Sequence, residues 1–363
     1  MNDNDKLEEI RRRIDEVDAQ LQDLLNERAR CAQEVARIKR EAGSENHFYR
    51  PEREAQVLRE IKKRNPGPLS SEEMARLFRE IMSACLALEE PLRIAFLGPE
   101  GTFTQAAALK HFGHSVTTVP LGAIGEVFRE VASGAAHYGV VPVENSTEGV
   151  VNHTLDMFLQ SELNICGEVQ LRIHHHLLAQ AGTGEDIQRV YSHQQSLAQC
   201  REWLDRHLPK AERVALSSNA EAARRVAVDD QPGVAAIAGD AAAEIYGLTP
   251  LARNIEDDPE NTTRFLVIGH QEVPASGKDK TSLLVSAENR AGALYRLLTP
   301  FRKHQISMTR IESRPSRRGM WEYAFFVDIE GHIDDPNVQQ ALEELKQEAT
   351  LFKVLGSYPS AVL

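Results

Sequence analysis

The chain has 363 residues, of which 42% are hydrophobic and 26% are charged, and its formal net charge is −12. This length predicts two or three domains, because a single core rarely grows beyond about 250 to 300 residues. The apolar runs are too short to span a bilayer, the start MNDNDKLEEI has no secretory signal, and the four cysteines lack disulfide or metal spacing. We therefore expect a cytoplasmic protein without a membrane partner. The acidity argues against nucleic-acid binding, so a site for an anionic small molecule must be a local Arg and Lys cluster.

Residues 1 to 91 carry a helical hydrophobic pattern with almost no strand signal. An apolar stripe from about Lys6 to Glu41 predicts a single helix roughly 54 Å long. Because one small domain cannot cover such a helix, we expect dimerisation to bury it. Two further helices are predicted, from about Pro51 to Arg64 and from about Ser71 to Leu88, with Ser70 or Ser71 as the N-cap of the second.

Charged residues interrupt this pattern at positions that could enclose an anion. Arg28 breaks the apolar stripe, and Lys39 follows three turns later on the same helix face. Arg11 lies about 100° away from Arg28 around the helix axis, so in a dimer it could face the partner's cavity. The other helices add polar or charged candidates: Arg53, Glu54, Cys85 and Glu89. Spacing alone does not distinguish a cationic cavity from solvated charges on a charge-rich helix.

From 92 to 271, strand and helix signals alternate, which predicts an α/β domain with a substantially parallel sheet. Four polar turns follow predicted strands, where such sheets gather ligands. The first, GPEGTFT at 98–104, opens a helix and offers backbone N–H groups to an anion, but it matches neither a dinucleotide-binding nor a P-loop pattern. The other turns supply the candidate cleft residues: Glu144, Asn145, Ser146, Ser192, His193, Gln194, Gln199, Thr263, Arg264 and Phe265. Each turn alone could equally be a capped turn without a ligand.

Three other features of this segment receive structural interpretations. The run His174-His175-His176 lacks partners that would complete a metal site, so no metal is expected. Cys200 is interpreted as a packed helix residue. The run Glu256-Asp257-Asp258 is interpreted as a solvated loop.

Residues 280 to 363 follow a polar linker and predict the order strand, helix, strand, strand, helix, strand, which is ferredoxin-like. The predicted ranges are 281–287, 291–304, 306–313, 321–330, 336–349 and 351–357. A glycine turn opens the first helix, and a polar run lies on the second strand. The residues concerned are Gly292, Ala293, Leu294, Glu312, Ser313, Arg314 and Pro315. Simple packing explains them as well as a ligand site does.

The first segment resembles a known family. The stretch IRRRIDEVDAQLQDLLNERARCAQEVARIK, followed by YRPEREAQVL, is similar to the all-helical chorismate mutase domain, which forms an intertwined dimer. The resemblance implies that the seven candidates above contact chorismate, with Arg11 coming from the partner chain and Lys39 donating to the ether oxygen. The rearrangement is pericyclic, so catalysis consists of holding the reactive conformer and stabilising charge on that oxygen. Glu89 stands at a frequent glutamine, Cys85 at a frequent serine and Arg50 at an occasional aspartate. Since Glu89 would donate only when protonated, we expect either mutase activity that favours mildly acidic pH or a Glu89 pKa raised by burial.

The middle and last segments resemble two further families. The combination of GPEGTFT, VENSTEG, SHQQSLAQC and NTTRF is similar to prephenate dehydratase, whose two α/β subdomains, like those of periplasmic binding proteins, enclose a cleft. This implies that Thr263, which has no adjacent base to make it a nucleophile, donates to the departing hydroxyl. Arg264 would lie near the carboxylates or pack as support, and Phe265 would shape the ring pocket. Gln194 stands at a frequent proline and Ser218-Asn219-Ala220 at a frequent Ser-Thr-Ala. GAL at 292–294 and ESRP at 312–315 are similar to the phenylalanine-binding elements of the ACT regulatory domain.

Over the whole chain, the order of segments resembles the bifunctional P-protein family of phenylalanine biosynthesis. The resemblance implies a cofactor-independent isomerase and lyase that converts chorismate to prephenate and prephenate to phenylpyruvate. It also implies feedback inhibition by L-phenylalanine and a homodimer or higher homo-oligomer. Two alternatives remain open from the sequence: arogenate dehydratase activity in the middle segment, and a non-catalytic amino-acid sensor.

Overall fold

The computed structural model describes residues 3–41, 49–182, 186–229, 232–288, 290–315 and 323–363. The helices of this part of the chain are α1 (Asp3–Glu41), α2 (Pro51–Arg64), α3 (Ser71–Ala87), α4 (Phe103–Phe112), α5 (Ile124–Ala132), α6 (Asn152–Phe158), α7 (Gln194–Gln199), α8 (Arg201–His207), α9 (Asn219–Val228), α10 (Asp240–Tyr246), α11 (Ala293–Lys303) and α12 (Pro336–Glu348). Its strands are β1 (Arg93–Leu97), β2 (Thr117–Leu121), β3 (Tyr138–Asn145), β4 (Gly149–Val150), β5 (Asn164–Arg172), β6 (His176–Ala179), β7 (Arg189–His193), β8 (Glu212–Leu216), β9 (Val234–Ala238), β10 (Thr249–Ala252), β11 (Thr262–Gly269), β12 (Asp279–Ser286), β13 (Met308–Pro315), β14 (Tyr323–Glu330) and β15 (Leu351–Pro359).

Helix α1 confirms the predicted long helix, with 39 residues of which Ala36 is the buried one. Its apolar stripe is exposed along most of its length, and Leu21 and Leu24 are 52% and 60% exposed. Helices α2 and α3 pack together beside its C-terminal end. Ser70 is the N-cap of α3, since its hydroxyl accepts a hydrogen bond from the N–H of Glu73 at 3.1 Å. No described helix is both long and apolar enough to cross a membrane.

The middle part is an α/β domain as predicted, but each of its two sheets combines the expected parallel pairs with antiparallel ones. In the first sheet, ordered β2-β1-β3-β11-β5, strand β1 is parallel to its neighbours and β11 is antiparallel to both of its neighbours. In the second, ordered β10-β6-β9-β7-β8, strand β7 is parallel to its neighbours and β6 is antiparallel to both of its own. The chain leaves the first sheet after β5 and returns in β11. A hydrophobic pattern carries no strand direction, so the sequence could not show this crossing.

The C-terminal part confirms the ferredoxin-like order, with one antiparallel sheet ordered β13-β14-β12-β15. Helices α11 and α12 share a core with this sheet that includes Leu297 and Leu345. The predicted strand 321–330 is confirmed from Tyr323 onward, and its first two residues lie outside the described residues.

The three parts share continuous cores. Tyr49, which precedes α2, is buried in a cluster with Phe112 and Tyr138 of the middle part. On the other side of the first sheet, Leu266 and Ile268 share a cluster with Phe326 of the C-terminal sheet. Burial of this kind fixes the helical and C-terminal parts against the middle part.

Candidate active sites

A cavity of about 500 Å³ lies among α1, α2 and α3. Its lining includes five of the predicted residues: Arg28, Lys39, Arg53, Glu54 and Glu89. The structure does not bring Cys85 to this cavity. That side chain is buried, and the cavity is lined instead by Met82 and Leu86 of α3 and by Glu89, which follows α3. Arg11 lies on the exposed part of α1, about 25 Å along the helix from Arg28 at 1.5 Å per residue.

Burial raises the pKa of two carboxyls in this cavity. For Glu89, burial outweighs the opposing charges of Lys39, Arg40 and Arg28, so its pKa is raised as predicted. For Glu54, burial outweighs the opposing charge of Arg79, whose Nε lies 3.2 Å from Glu54 Oε1. The cavity therefore combines several cations with two carboxyls that protonate more readily than usual.

A second cavity, of about 680 Å³, forms a cleft between the two sheets of the middle part. Three predicted residues line it: His193, Thr263 and Phe265. The turn GPEGTFT contributes further lining residues: Gly98, Pro99, Thr102, Phe103 and Thr104. The lining residues that the sequence reasoning did not place in the site include Gln195, Ser218, Asn219 and Glu221. For Ser218, Asn219 and Glu221, the sequence feature that could have indicated the site is a helix-capping pattern, in which Ser218 is followed by Glu221 shortly after a strand.

The hydroxyl of Thr263 is oriented by Asn145, which lies opposite it in the sheet register. The Nδ2 of Asn145 donates to Thr263 Oγ1 at 2.8 Å and to Asn261 Oδ1 at 2.8 Å. The Oδ1 of the same amide accepts bonds from the backbone N–H groups of Thr147 and Glu148, both at 3.0 Å. Because Thr263 Oγ1 accepts the bond from Asn145, its own proton is available to a group in the cleft.

Gln199 connects the neighbours of the Asn145–Thr263 pair to the second sheet. Its Nε2 donates to Thr147 Oγ1 at 3.0 Å, and its Oε1 lies 2.9 Å from His175 Nε2 and 3.1 Å from Asn261 Nδ2. Ser146 supports the strand end, where its Oγ accepts the N–H of Thr262 at 3.0 Å. Neither Gln199 nor Ser146 lines the cleft itself.

Two predicted residues at the end of β7 and the start of α7 are not on the cleft. Ser192 is fully buried, and its hydroxyl donates to the carbonyl of Ile237 at 2.7 Å within the sheet. Gln194 is exposed, and the next residue, Gln195, lines the cleft instead. At Gln194 the chain passes from a strand, with a side-chain period of 2, to a helix, with a period of 3.6. The sequence pattern did not locate this transition to a single residue, so it did not show which side chain faces the cleft.

Glu144 and Arg264 face the C-terminal part, not the cleft. They are register neighbours on β3 and β11, one residue away from Asn145 and Thr263, so strand alternation turns them to the opposite face. Arg264 contacts Glu168 Oε2 at 2.9 Å, Asp328 Oδ2 at 2.5 Å and the Tyr358 hydroxyl at 3.0 Å. The packing role, one of the two predicted for Arg264, is therefore the one observed.

Glu144 lies 2.9 Å from Arg310 Nε of β13. The same strand carries Arg314, a predicted effector residue, whose Nη2 donates to Asp156 Oδ1 of the middle part at 2.7 Å. Ser313 lies between these two arginines and is exposed. Strand β13 thus turns one face to the middle part and the other to solvent.

The remaining predicted effector residues lie at or near exposed positions of the C-terminal part. Gly292 has φ +76°, a left-handed conformation that glycine adopts without strain, and it is the N-cap of α11. Leu294 in the first turn is 39% exposed. Ala293 and Glu312 are half-buried, and Pro315 is exposed.

The structural interpretations made for the middle segment have mixed outcomes. Cys200 is fully buried, as predicted. Glu256 is also buried, so its assignment to a solvated loop was wrong. Oε2 of Glu256 accepts a hydrogen bond from the backbone N–H of His175 at 2.8 Å, and its Oε1 lies 2.8 Å from His174 Nδ1. Asp257 accepts the N–H of Glu202 at the start of α8. Among the described residues, no group of three or more His, Cys, Asp or Glu could hold a metal ion.

Comparison with known families gives a match for each of the three parts of the chain. The chorismate mutase type II family matches residues 10–90, the prephenate dehydratase family residues 94–273, and the ACT domain family residues 281–347. A bifunctional chorismate mutase/prephenate dehydratase of Stutzerimonas stutzeri is 62% identical over 100% of both chains.

Solved structures match the middle and C-terminal parts together. A prephenate dehydratase from Arthrobacter aurescens, in complex with L-Phe, has a TM-score of 0.69 and 37% identity, and the match covers 74% of this chain and 90% of that one. GqqA, described as a novel type of quorum quenching acylase, has a TM-score of 0.69 and 31% identity over 74% of this chain and 98% of its own. Since the full-length match includes the helical part as well, the chain belongs to the bifunctional chorismate mutase/prephenate dehydratase family.

Proposed function

We propose that the helical cavity rearranges chorismate to prephenate, that the middle cleft converts prephenate to phenylpyruvate, and that L-phenylalanine inhibits the enzyme through the C-terminal domain. The corresponding domains would span 1–91, 92–271 and 280–363. The observation that carries the proposal is the presence of two cavities of suitable chemistry in one chain, one rich in cations and the other containing an oriented hydroxyl donor.

In the mutase cavity, Arg28 and Arg53 are placed to bind the two carboxylates of chorismate. Lys39 and protonated Glu89 donate to the ether oxygen as its C–O bond breaks. Glu54 accepts a hydrogen bond from the substrate hydroxyl, the neutral donor group of chorismate. The raised pKa of Glu89 supports this assignment, because the protonated carboxyl can donate as an amide would.

In the dehydratase cleft, the bond from the ring to its carboxylate breaks, carbon dioxide leaves, and the released electron pair completes the aromatic ring as the ring hydroxyl departs. Thr263 donates its hydrogen bond to that hydroxyl and relays a proton taken up from solvent water, so the hydroxyl leaves as water and the threonine hydroxyl is restored. Asn145 is a positioning residue that keeps the Thr263 proton directed into the cleft.

Two helix N-termini support binding of a dicarboxylate in this cleft. Helix α4 begins at Phe103 and α9 at Asn219, and both residues line the cleft. The described lining residues include no Lys or Arg, so the free N–H groups of these first turns are the available anion-binding groups. Burial lowers the pKa of His193, which favours its neutral form in the cleft.

The exposed stripe of α1 supports a homodimer. A second copy would cover this stripe, and an antiparallel pairing of two α1 helices would bring Arg11 of one chain toward the cavity of the other. We also propose a reducing compartment such as the cytoplasm, since the four cysteines, all within the described residues, form no disulfide.

Inhibition by L-phenylalanine rests on the C-terminal sheet and on the effector-bound relative from Arthrobacter aurescens. Gly292 and Ser313 are both exposed there, while Arg310 on the strand of Ser313 contacts Glu144, the neighbour of Asn145. An effector that shifts β13 would therefore act on the strand end that orients Thr263.

The deciding experiment supplies chorismate to the purified protein and follows phenylpyruvate by its ultraviolet absorbance, with and without phenylalanine. We expect turnover that phenylalanine suppresses. Binding of phenylalanine without turnover would identify a sensor instead. A kcat/KM higher on arogenate than on prephenate would reassign the substrate of the middle cleft.

A further inference from the structure

Glu54 separates the mutase cavity from a small space at the junction of the three domains. On one side it lines the cavity that contains Arg28 and Lys39. On the other side it lines a junction that Arg79, His111 and the C-terminal residue Leu363 also line. The carboxyl proposed to contact chorismate is therefore supported from behind by residues outside the mutase cavity.

Arg79, from α3, is the cation in contact with Glu54 on the junction side. It is 8% exposed, and its Nε lies 3.2 Å from Glu54 Oε1, a charge contact without the alignment of a hydrogen bond. Arg79 is not among the residues that line the mutase cavity. Arg79 therefore does not touch the substrate, and its direct contact with a residue of the mutase cavity is the one to Glu54.

The dehydratase domain fixes the other end of the guanidinium. Nη1 of Arg79 donates to the carbonyls of Lys110 at 2.9 Å and His111 at 2.7 Å. Both carbonyls belong to the last turn of α4, where no later turn of the helix supplies N–H donors and the helix dipole is negative. A cation is therefore doubly favoured at this position, and α4 holds it by two bonds.

Among the groups around Glu54, Arg79 is the cation on the junction side. Its charge opposes the rise that burial causes in the pKa of Glu54. The mutase cavity contributes Arg28, Cys31, Lys39, Arg50, Arg53 and Glu89. The junction contributes Lys110, His111, Cys166, Glu168 and the C-terminus, and Tyr49 lines both spaces. Burial, with the charge of Arg79, lowers the pKa of His111 to about 3, and burial raises that of Cys166 to about 12, so both are neutral near pH 7.

We propose that Arg79 is a positioning residue of the chorismate mutase site, which holds the Glu54 carboxylate from behind and is itself held by the C-terminal carbonyls of α4 in the dehydratase domain. This inference rests on the proposed mutase function. It makes the dehydratase domain part of the support of the mutase site, because the two bonds that fix Arg79 come from α4.

The test uses the full-length protein with Arg79→Gln, which keeps a donor for the carbonyls but removes the charge. Mutase kinetics are measured on chorismate and dehydratase kinetics on prephenate supplied directly. The matched control is Arg76→Gln, one turn earlier on the same helix, where the arginine is exposed and pairs with exposed Glu73.

We expect mutase kcat/KM to fall by about 10- to 100-fold in Arg79→Gln, the size of one lost charge-assisted contact. The acid limb of the mutase pH profile should move to higher pH, since Glu54 loses the charge that favours its ionised form. Arg79→Lys should keep the limb near its wild-type position. Dehydratase kcat/KM, and both activities of Arg76→Gln, should stay close to wild type.

A double-mutant cycle separates positioning from a structural role. In a Glu54→Gln background, Arg79→Gln should cause little further loss of mutase activity, because the group it positions has no charge. Additive losses, an unmoved acid limb, or an equal fall of both activities in Arg79→Gln would overturn the inference. Absence of mutase turnover in the wild-type protein would refute the proposed mutase function itself, an outcome distinct from these.

Discussion

Thr263→Val removes the proposed proton donor of the dehydratase with little change of shape. Thr263 is 9% exposed, and valine places a methyl group where the hydroxyl was. Asn145 loses one of its two acceptors but keeps Asn261 at 2.8 Å, so the free energy of unfolding should fall by about 1 kcal/mol. Loss of one donor aimed at charge that develops in the transition state costs roughly 3 to 4 kcal/mol, which corresponds to about 100- to 1000-fold in kcat.

The assay compares three quantities in the same protein sample. Phenylpyruvate formation from prephenate should fall by that factor, whereas chorismate consumption by the mutase and the thermal unfolding midpoint should change little. Thr262→Val is the matched control, since the Thr262 hydroxyl donates to the carbonyl of Glu260 at 2.9 Å and does not line the cleft. More than a tenth of the wild-type dehydratase kcat in Thr263→Val, or an equal loss in Thr262→Val, would refute the proposed donor.

Three further predictions test the mutase, the domain interface and the dimer. Glu89 donates only when protonated and its pKa is raised, so mutase activity should fall as pH rises through that pKa, and Glu89→Gln should remove this fall; an unchanged flat profile from pH 5 to 8 would contradict the assignment. Arg264→Met removes the cation paired with buried Asp328, to which Ser282 still donates, and should lower the free energy of unfolding, measured in urea, by about 3 to 5 kcal/mol, whereas exposed Arg224→Met should cost less than about 1 kcal/mol. Leu21→Glu places a charge in the exposed stripe of α1 and should yield monomers with impaired mutase activity by light scattering and kinetics; an intact dimer would argue against that interface.

The sequence predicted the features that depend on neighbouring residues. The heptad-like stripe predicted α1, and the capping serine, Ser70 or Ser71, placed the start of α3. The alternation of elements after residue 280 predicted the ferredoxin-like order. These features follow from side-chain period, capping and turn chemistry, which act within a few residues.

The sequence could not assign several polar residues to a face or a partner. Ser192 and Gln194 both belong to a polar turn after a strand, yet one donates into the sheet and the other is exposed. Glu256 looked like a loop carboxylate, but it is buried against the backbone of His175. Such assignments depend on which distant segment supplies the missing donor or acceptor.

What the sequence by itself determined was the helices of the first part, the alternation of strands and helices in the middle part, the ferredoxin-like order of the last part, and the polar turns that include Thr263. The tertiary structure decided that β11 runs antiparallel between β3 and β5, so that Thr263 meets Asn145 on the cleft face while Arg264 meets Asp328 on the other. It also decided that Arg79 supports Glu54 from the dehydratase side. The physical reason is that strand direction and ion-pair partners are set by chain crossings and packing between segments far apart in sequence, which local periodicity does not encode.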